Sequence, residues 1–387
     1  MLGVPRDAPP RRVLFVAADS AWAGAQAQML ELAVGLDRAE WEPLLLTCGT
    51  GGLVQRAGDA GIPTRVMPFG LLRRGFPFLD YYLAGPLVLH RFLRRERIAL
   101  VHTHDPASPI AIAPVAGRLG IPVVVHIHDL DQRWITRRSL AAISRARSVV
   151  VAISDAAARW AVARGADPAR VRRIYNGVHL RALASDARAR ARRELGIAPH
   201  ECGVVLVGRL VARKGQRDAI RAFAEPALAS SAARLYLIGG AAPSEPGHDD
   251  GLRALVAELG LRERVTFVGE RDDAPALVAG MDLAVVPSLR EAFGRVVIEA
   301  LHAGVPVVAY DDGALPELVR DGIDGRVVPT GDIPALASAI AALVEDASLR
   351  ARLAAGARVR AQAFSHQRFV VECSALYREL LRSPPVP

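Results

Sequence analysis

The feature that most constrains this chain is an alternation that occurs twice. Short, continuous apolar runs, "RRVLFVAA" (11–18), "EPLLLTC" (42–48), "ALVHTH" (99–104), "PVVVHIHD" (122–129) and "SVVVAIS" (148–154), are separated by amphipathic stretches such as 25–36, 107–119 and 155–164. A run that is apolar at successive positions has no polar face, so it suits a strand buried on both sides of a parallel sheet. Strand–helix alternation then implies an open, doubly wound α/β sheet. After an Ala/Arg-rich segment, 181–199, the pattern restarts with "CGVVLVGRL" (202–210), "ARLYLIGG" (233–240), "RVTFVGE" (264–270), "MDLAVVPS" (281–288), "VPVVAY" (305–310) and "DGRVVPT" (324–330). At 387 residues the chain is too long for one ordinary core. Two α/β domains are expected, 1–180 and 200–365, and a C-terminal helix, 366–387, that packs back on the first. Sheets in series imply a central cleft, with ligands beyond the carboxyl ends of the strands.

Half the residues are apolar and 23% are charged, the profile of a soluble globular protein. The formal charge of +9 favours phosphate-bearing or anionic partners, unless arginine is simply preferred throughout. Cys48, Cys202 and Cys373 form neither a metal spacing nor a disulfide framework, which suits a reducing compartment. The N-terminus lacks the apolar core of a signal peptide, and no run of 18 apolar residues occurs. A cytoplasmic protein is expected.

Among 49 strong bases there is one lysine, Lys214, in "VGRLVARKGQ" (207–216). Arg209 leaves a strand end and Lys214 sits just before a helix, both where a phosphate would rest. Arginine offers a planar fork, whereas lysine offers a mobile point charge that can follow charge building on a leaving oxygen. The plainer alternative is a lysine that survived by chance before a surface helix.

"PSLREAFGRVVIEALHAGVPVV" (287–308) carries Glu291 and Glu299 with seven residues between them. On one helix the two would stand about 80 degrees apart, on different faces. The spacing makes sense if Glu291 lies in a loop and the helix begins near Gly294. The backbone N–H groups of Phe293, Gly294 and Arg295 then form an anion site, and Gly294 permits close approach. Carboxylates repel phosphate, so the two glutamates suit hydroxyl groups on either side of it. That pattern describes a nucleoside-diphosphate sugar; a surface Glu and a helix Glu flanking a tight turn is the alternative.

These segments, with "GVPVVAYDDGALPELVRDGIDGRVV", "AISD" (152–155) and "NGV" (176–178), resemble the family-4 retaining glycosyltransferases of GT-B fold, two Rossmann-like domains facing a cleft. The resemblance covers nearly the whole chain and is more specific in the second domain. It implies a hexosyltransferase in which Arg209 and Lys214 bind the diphosphate, Glu291 the donor sugar and Glu299 the ribose. Backbone amides at Phe293 and Gly294 would meet sugar and phosphate. It places a histidine before an aspartate at the donor sugar, which favours His128; strand alternation puts His126 on the same face and keeps it as a second candidate, and His104 of "HTHDP" (102–106), a similar strand-end cluster, is a weaker candidate for lining the cleft. The family's Gly-Gly-x-Glu loop is here Ala23-Gly24-Ala25-Gln26, where Gly24 can still approach a phosphate or acceptor. Trp22 beside it would stack on an acceptor sugar or cover the loop. Gly269 and Arg271 are expected near the nucleobase, and Glu317 either joins the site or serves its helix dipole.

No cofactor is implied beyond a UDP- or GDP-sugar donor. No metal is expected, since the histidines lack the i, i+4 spacing of helical ligands. The stretch "FGLLRRGFPFLDYYLAGPLVLHRFLRRER" (69–97) mixes aromatics, Leu and Arg, the composition of a segment that rests on an anionic membrane. A lipid-linked or glycan acceptor at the inner face of the plasma membrane is therefore expected, unless those residues are core and surface in the ordinary way. A nucleotide-sugar epimerase of the same fold is the alternative activity. A dinucleotide oxidoreductase is disfavoured because no G-x-G-x-x-G follows the first strand. Nucleic acid is not an expected partner, as the arginines are not interleaved with aromatics on one face.

Overall fold

The apolar runs form parallel sheets. The computed structural model describes residues 9–67, 78–105, 108–130 and 147–382. The opening segment 1–8 and positions 69–77 of the basic–aromatic stretch lie outside the described residues. The chain divides into two units, Met1–Gly177 with Gln367–Pro387, and Val178–His366.

In the first unit, strands β1 (Arg11–Ala17), β2 (Trp41–Thr47), β3 (Thr64–Val66), β4 (Ile98–Thr103), β5 (Val123–Ile127), β6 (Ser148–Ala152) and β7 (Val171–Arg173) form a sheet of order β3-β2-β1-β4-β5-β6-β7. All neighbours are parallel. Both faces are buried. Leu14, Val16, Val101, Val123 and Val125 pack on one side. Val13, Phe15, Leu100, Val124 and Val151 pack on the other. That second face is covered by the C-terminal helix His366–Arg382, through Phe369, Cys373, Leu376 and Tyr377. Their i, i+4, i+7, i+8 spacing is one helical stripe. Trp41 Nε1 donates to Ser374 Oγ at 2.8 Å, and Arg378 forks onto Glu40 at 2.8 and 2.5 Å.

In the second unit, β8 (Cys202–Val207), β9 (Ala233–Ile238), β10 (Val265–Gly269), β11 (Leu283–Val286), β12 (Val307–Tyr310) and β13 (Gly325–Val328) give the order β10-β9-β8-β11-β12-β13. The Ala/Arg-rich segment that the sequence leaves between domains belongs here. Its helix, Ala187–Glu194, is tied by Arg188 and Arg192 to Asp282 at 2.6 and 2.9 Å.

The strand order reverses between β1 and β4 in one sheet and between β8 and β11 in the other. At such a switch point the loops leaving the two central strands diverge and open a crevice at their carboxyl ends. The loops that follow β8 and β11 carry Arg209, Lys214 and Glu291.

Candidate active site

The β8 loop is shaped by glycine. A 3-10 turn, Ala212–Lys214, ends at Gly215, whose φ of +71° is a left-handed conformation. A Cβ there would lie 2.0 Å from the carbonyl oxygen of Pro287, so glycine is what lets the β8 loop touch the β11 loop. Leu289 N donates to Arg213 O at 2.7 Å and closes the contact. The aliphatic stem of Lys214 lies beside Gly208, and its Nζ meets Glu291 Oε2 at 2.5 Å. Only 18% of the Lys214 side chain and 11% of the Glu291 side chain are exposed. Arg209 is exposed, and its guanidinium has no hydrogen bond or ion pair among the described residues.

Glu291 is fixed from three directions. Arg290 before it has φ +52°, unusual for a residue with a side chain, and its N–H donates to Asp312. Gly313 (φ +57°) approaches so closely that a Cβ would sit 2.2 Å from Glu291 O, which also accepts from Ala314 N at 2.8 Å. Two residues after Phe293 the helix Arg295–Ala303 begins, with Gly294 (φ +81°) as N-cap. No side chain caps this end and its first turn carries no acid, so the positive end of the helix is not neutralised locally. Phe293 is buried and packs edge-on against Phe364. Glu299, in the second turn, accepts from Arg295 Nε at 3.1 Å. Burial raises its pKa, against the opposing pull of Arg295.

Lys214, Glu291, Gly294 and the loops that bear them are thus gathered at one sheet end. Arg271, which the sequence suggests for the nucleobase, follows β10. Its guanidinium is held by Asp273 at 2.7 Å and by Glu194, through Nε and Nη2. Glu317 lies in the short helix Leu315–Leu318, and its carbonyl accepts from Arg360.

In the first unit, Gly24 opens the helix Gly24–Gly35, again with no side-chain cap. A Cβ at Gly24 would meet nothing within 4 Å, so open space lies over that helix start. Trp22 lies under the Arg56 guanidinium at 4.4 Å. Asp105, after β4, accepts from Ala18 N at 3.0 Å and Ser108 N at 2.8 Å, pinning the β1 loop.

The histidines form one array. Positions 102 and 104 along β4, and 126 and 128 along β5, are two apart and so share a face. Leu100 and Val124 on the same parity identify it as the face under the C-terminal helix. Neighbouring rings lie 4.3 to 5.3 Å apart. His128 Nδ1 faces the Asn176 amide at 3.5 Å, and its Nε2 lies 2.9 Å from His104 Nδ1. His102 bridges Tyr377 OH (2.5 Å) and His126 Nδ1 (3.2 Å). His104 Nε2 and His126 Nε2 are buried without a hydrogen-bond partner among the described residues, an arrangement that costs about 1–3 kcal/mol per group. His102 shares the local alternation with His104, but nothing local connects Asn176 or Tyr377 to the array.

Burial holds the four rings neutral. The pKa values of His102 and His128 are pushed down to about 3, and those of His104 and His126 well below the ordinary value. Unfolded, these imidazoles titrate near 6.5. The stability these rings contribute is therefore fully present above about pH 6.5 and is lost as pH falls below it, where only the unfolded chain takes up protons. The slope is about 1.4 kcal/mol per pH unit for each group. Urea midpoints at pH 7, 6 and 5 are expected to fall in sequence; a flat profile to pH 5 would contradict neutral rings.

Two family descriptions match the chain: "Glycosyltransferase Family 4" over residues 22–182 and "Glycosyl transferases group 1" over 187–360. The D-inositol 3-phosphate glycosyltransferase of Mycobacterium marinum is 34% identical over 268 residues, 68% of this chain and 54% of that protein. The Acidothermus cellulolyticus protein of the same name is 33% identical over 305 residues, 73% of this chain and 67% of that one. The chain thus spans about half the length of the mycobacterial relatives it matches. Among solved structures, Anabaena Alr3699/HepE in complex with UDP superposes with a TM-score of 0.83 at 25% identity, covering 95% of this chain and all of that one. A glycosyltransferase from Rickettsia africae has a TM-score of 0.82 at 18% identity, over 97% of this chain and 100% of that one, a likeness of fold. The fold is GT-B, and nothing among these relatives favours the epimerase alternative.

Proposed function

The chain belongs to the family-4, group 1 glycosyltransferases, and on that premise we propose that it moves a sugar from a nucleoside-diphosphate sugar to an acceptor hydroxyl with retention of configuration. The observation that carries the reading is the Lys214–Glu291 pair, 2.5 Å apart beside an uncapped helix start at the switch point of the second sheet. A cation, a carboxylate and a positive helix end at one place suit a diphosphate and the hydroxyls of the sugar it carries. Arg209, with its donors free among the described residues, and Lys214 take the charge that grows on the diphosphate as the glycosidic bond breaks. Donor entry draws Lys214 from Glu291 towards phosphate and frees the carboxylate to accept from sugar hydroxyls, while Glu299 is assigned to the ribose. The departing phosphate takes the acceptor proton, which gives same-face attack without a covalent nucleophile.

UDP is the proposed nucleotide, since the Anabaena protein was solved with UDP and with UDP-glucose. A thermal-shift series with UDP, GDP, ADP and UDP-glucose tests the reading. UDP ligands are expected to raise the midpoint in wild type and to lose that effect in Arg209→Ala with Lys214→Ala. No response to any nucleotide sinks the proposal. The acceptor is proposed to be a glycan or a lipid-linked hydroxyl. Leu87 and Val88 are exposed on helix Phe78–Arg95, which ends in Arg94 and Arg95, a composition suited to an anionic surface. No described helix is long and apolar enough to cross a membrane. Failure to sediment with anionic vesicles at low salt removes the membrane part.

A further inference from the structure

We propose that the first unit holds a zinc-class metal site built from His102, His104 and His126. One ring nitrogen from each residue lies within 4.8 Å of the other two. The 3.2 Å between His102 Nε2 and His126 Nδ1 is a long hydrogen bond. It is close to the roughly 3.4 Å that separates two nitrogens on a tetrahedral zinc with Zn–N bonds of about 2.0–2.1 Å. The third imidazole, His104, is 3% exposed and its Nε2 has no partner among the described residues. His126, 1% exposed, turns Nδ1 towards His102. Buried polar atoms nearly always find a partner, so the unpaired His104 nitrogen in this array points to a missing ligand.

The surroundings have the form of an outer shell. His102 Nδ1 is held by Tyr377 OH at 2.5 Å, and His104 Nδ1 by His128 Nε2 at 2.9 Å. Metal-binding imidazoles are oriented in this way, through the nitrogen that does not bind. Three imidazoles grouped among the described residues suit zinc, or cobalt in its place, rather than magnesium or calcium. The site lies within the first sheet and its covering helix. It is independent of the glycosyl-transfer reading, and its test reads metal, not turnover.

The test uses the full chain, stripped with a chelator and freed of it. Zinc chloride is titrated calorimetrically, and cobalt(II) is followed by its visible absorption. One zinc per chain and the intense bands of tetrahedral cobalt are expected in wild type. Both are expected to be lost in the double variant His104→Gln, His126→Gln, and zinc affinity to fall about 10- to 100-fold in Tyr377→Phe. Wild type without stoichiometric zinc or tetrahedral cobalt bands overturns the proposal, as does full-strength binding in the double variant. Should that variant fail to fold, the wild-type cobalt spectrum decides alone, its presence supporting the site and its absence removing it.

Discussion

Lys214→Ala is expected to lower turnover by about 10²-fold or more, the scale of losing one preorganised charge at a site where charge develops. The effect belongs mainly in kcat. In the free protein the ammonium rests on Glu291, 2.5 Å away, so part of its attraction to ground-state donor is spent on leaving that partner. Its full effect is exerted only as the diphosphate becomes a leaving group. The variant also leaves Glu291, largely buried, without its cation. Stability is expected to fall, by less than the about 3–5 kcal/mol typical of breaking a fully buried pair. Turnover is therefore read per folded molecule, with folding checked by near-ultraviolet circular dichroism. Lys214→Arg is expected to recover part of the rate, because a planar fork carries the charge but cannot follow it as a compact ammonium does. Wild-type turnover in the alanine variant would remove Lys214 from the chemistry.

Gly215→Ala is expected to destabilise the second unit by about 2–4 kcal/mol. The left-handed backbone costs a residue with a Cβ about 1–2 kcal/mol, and the contact adds to it. At 2.0 Å from Pro287 O the new methyl cannot be accommodated unless one loop retreats. Retreat breaks the 2.7 Å bond from Leu289 N to Arg213 O and separates Lys214 from Glu291. Gly61→Ala is the control: Gly61 has φ +68°, but a Cβ there meets nothing within 4 Å. Only the backbone cost should appear, and the difference in urea midpoint isolates the close approach. Equal losses in the two variants would mean that the β8 and β11 loops do not touch as described.

The central strands were legible because a parallel sheet buried on both faces needs continuous apolar runs, and "RRVLFVAA" or "SVVVAIS" has few other uses. The edge strands β3 and β7 were not. Thr64–Val66 and Val171–Arg173 are three residues each, partly charged and half-exposed, so no apolar pattern betrays them. Within the candidate site, the helix start at Gly294 and the turn before Gly215 could be read locally, since each is a strand–loop–helix junction contained in about ten residues. Arg271 shows the limit of such reading. Its position after a strand is local, whereas its ion pair with Glu194, 77 positions away, is made only by the fold.

The amino-acid sequence by itself determined the two doubly wound sheets, the lone lysine before a helix and the seven-residue spacing of Glu291 and Glu299, because periodicity and short-range turn geometry are local properties of a chain. Tertiary structure alone decided which of these residues meet. Lys214 reaches Glu291 across 77 positions through the reversal of strand order between β8 and β11. His102 reaches Tyr377 across 275, because the C-terminal helix returns to cover the first sheet. Spacing on a strand tells which face a histidine takes, but only the register of β4 against β5 makes four of them one array.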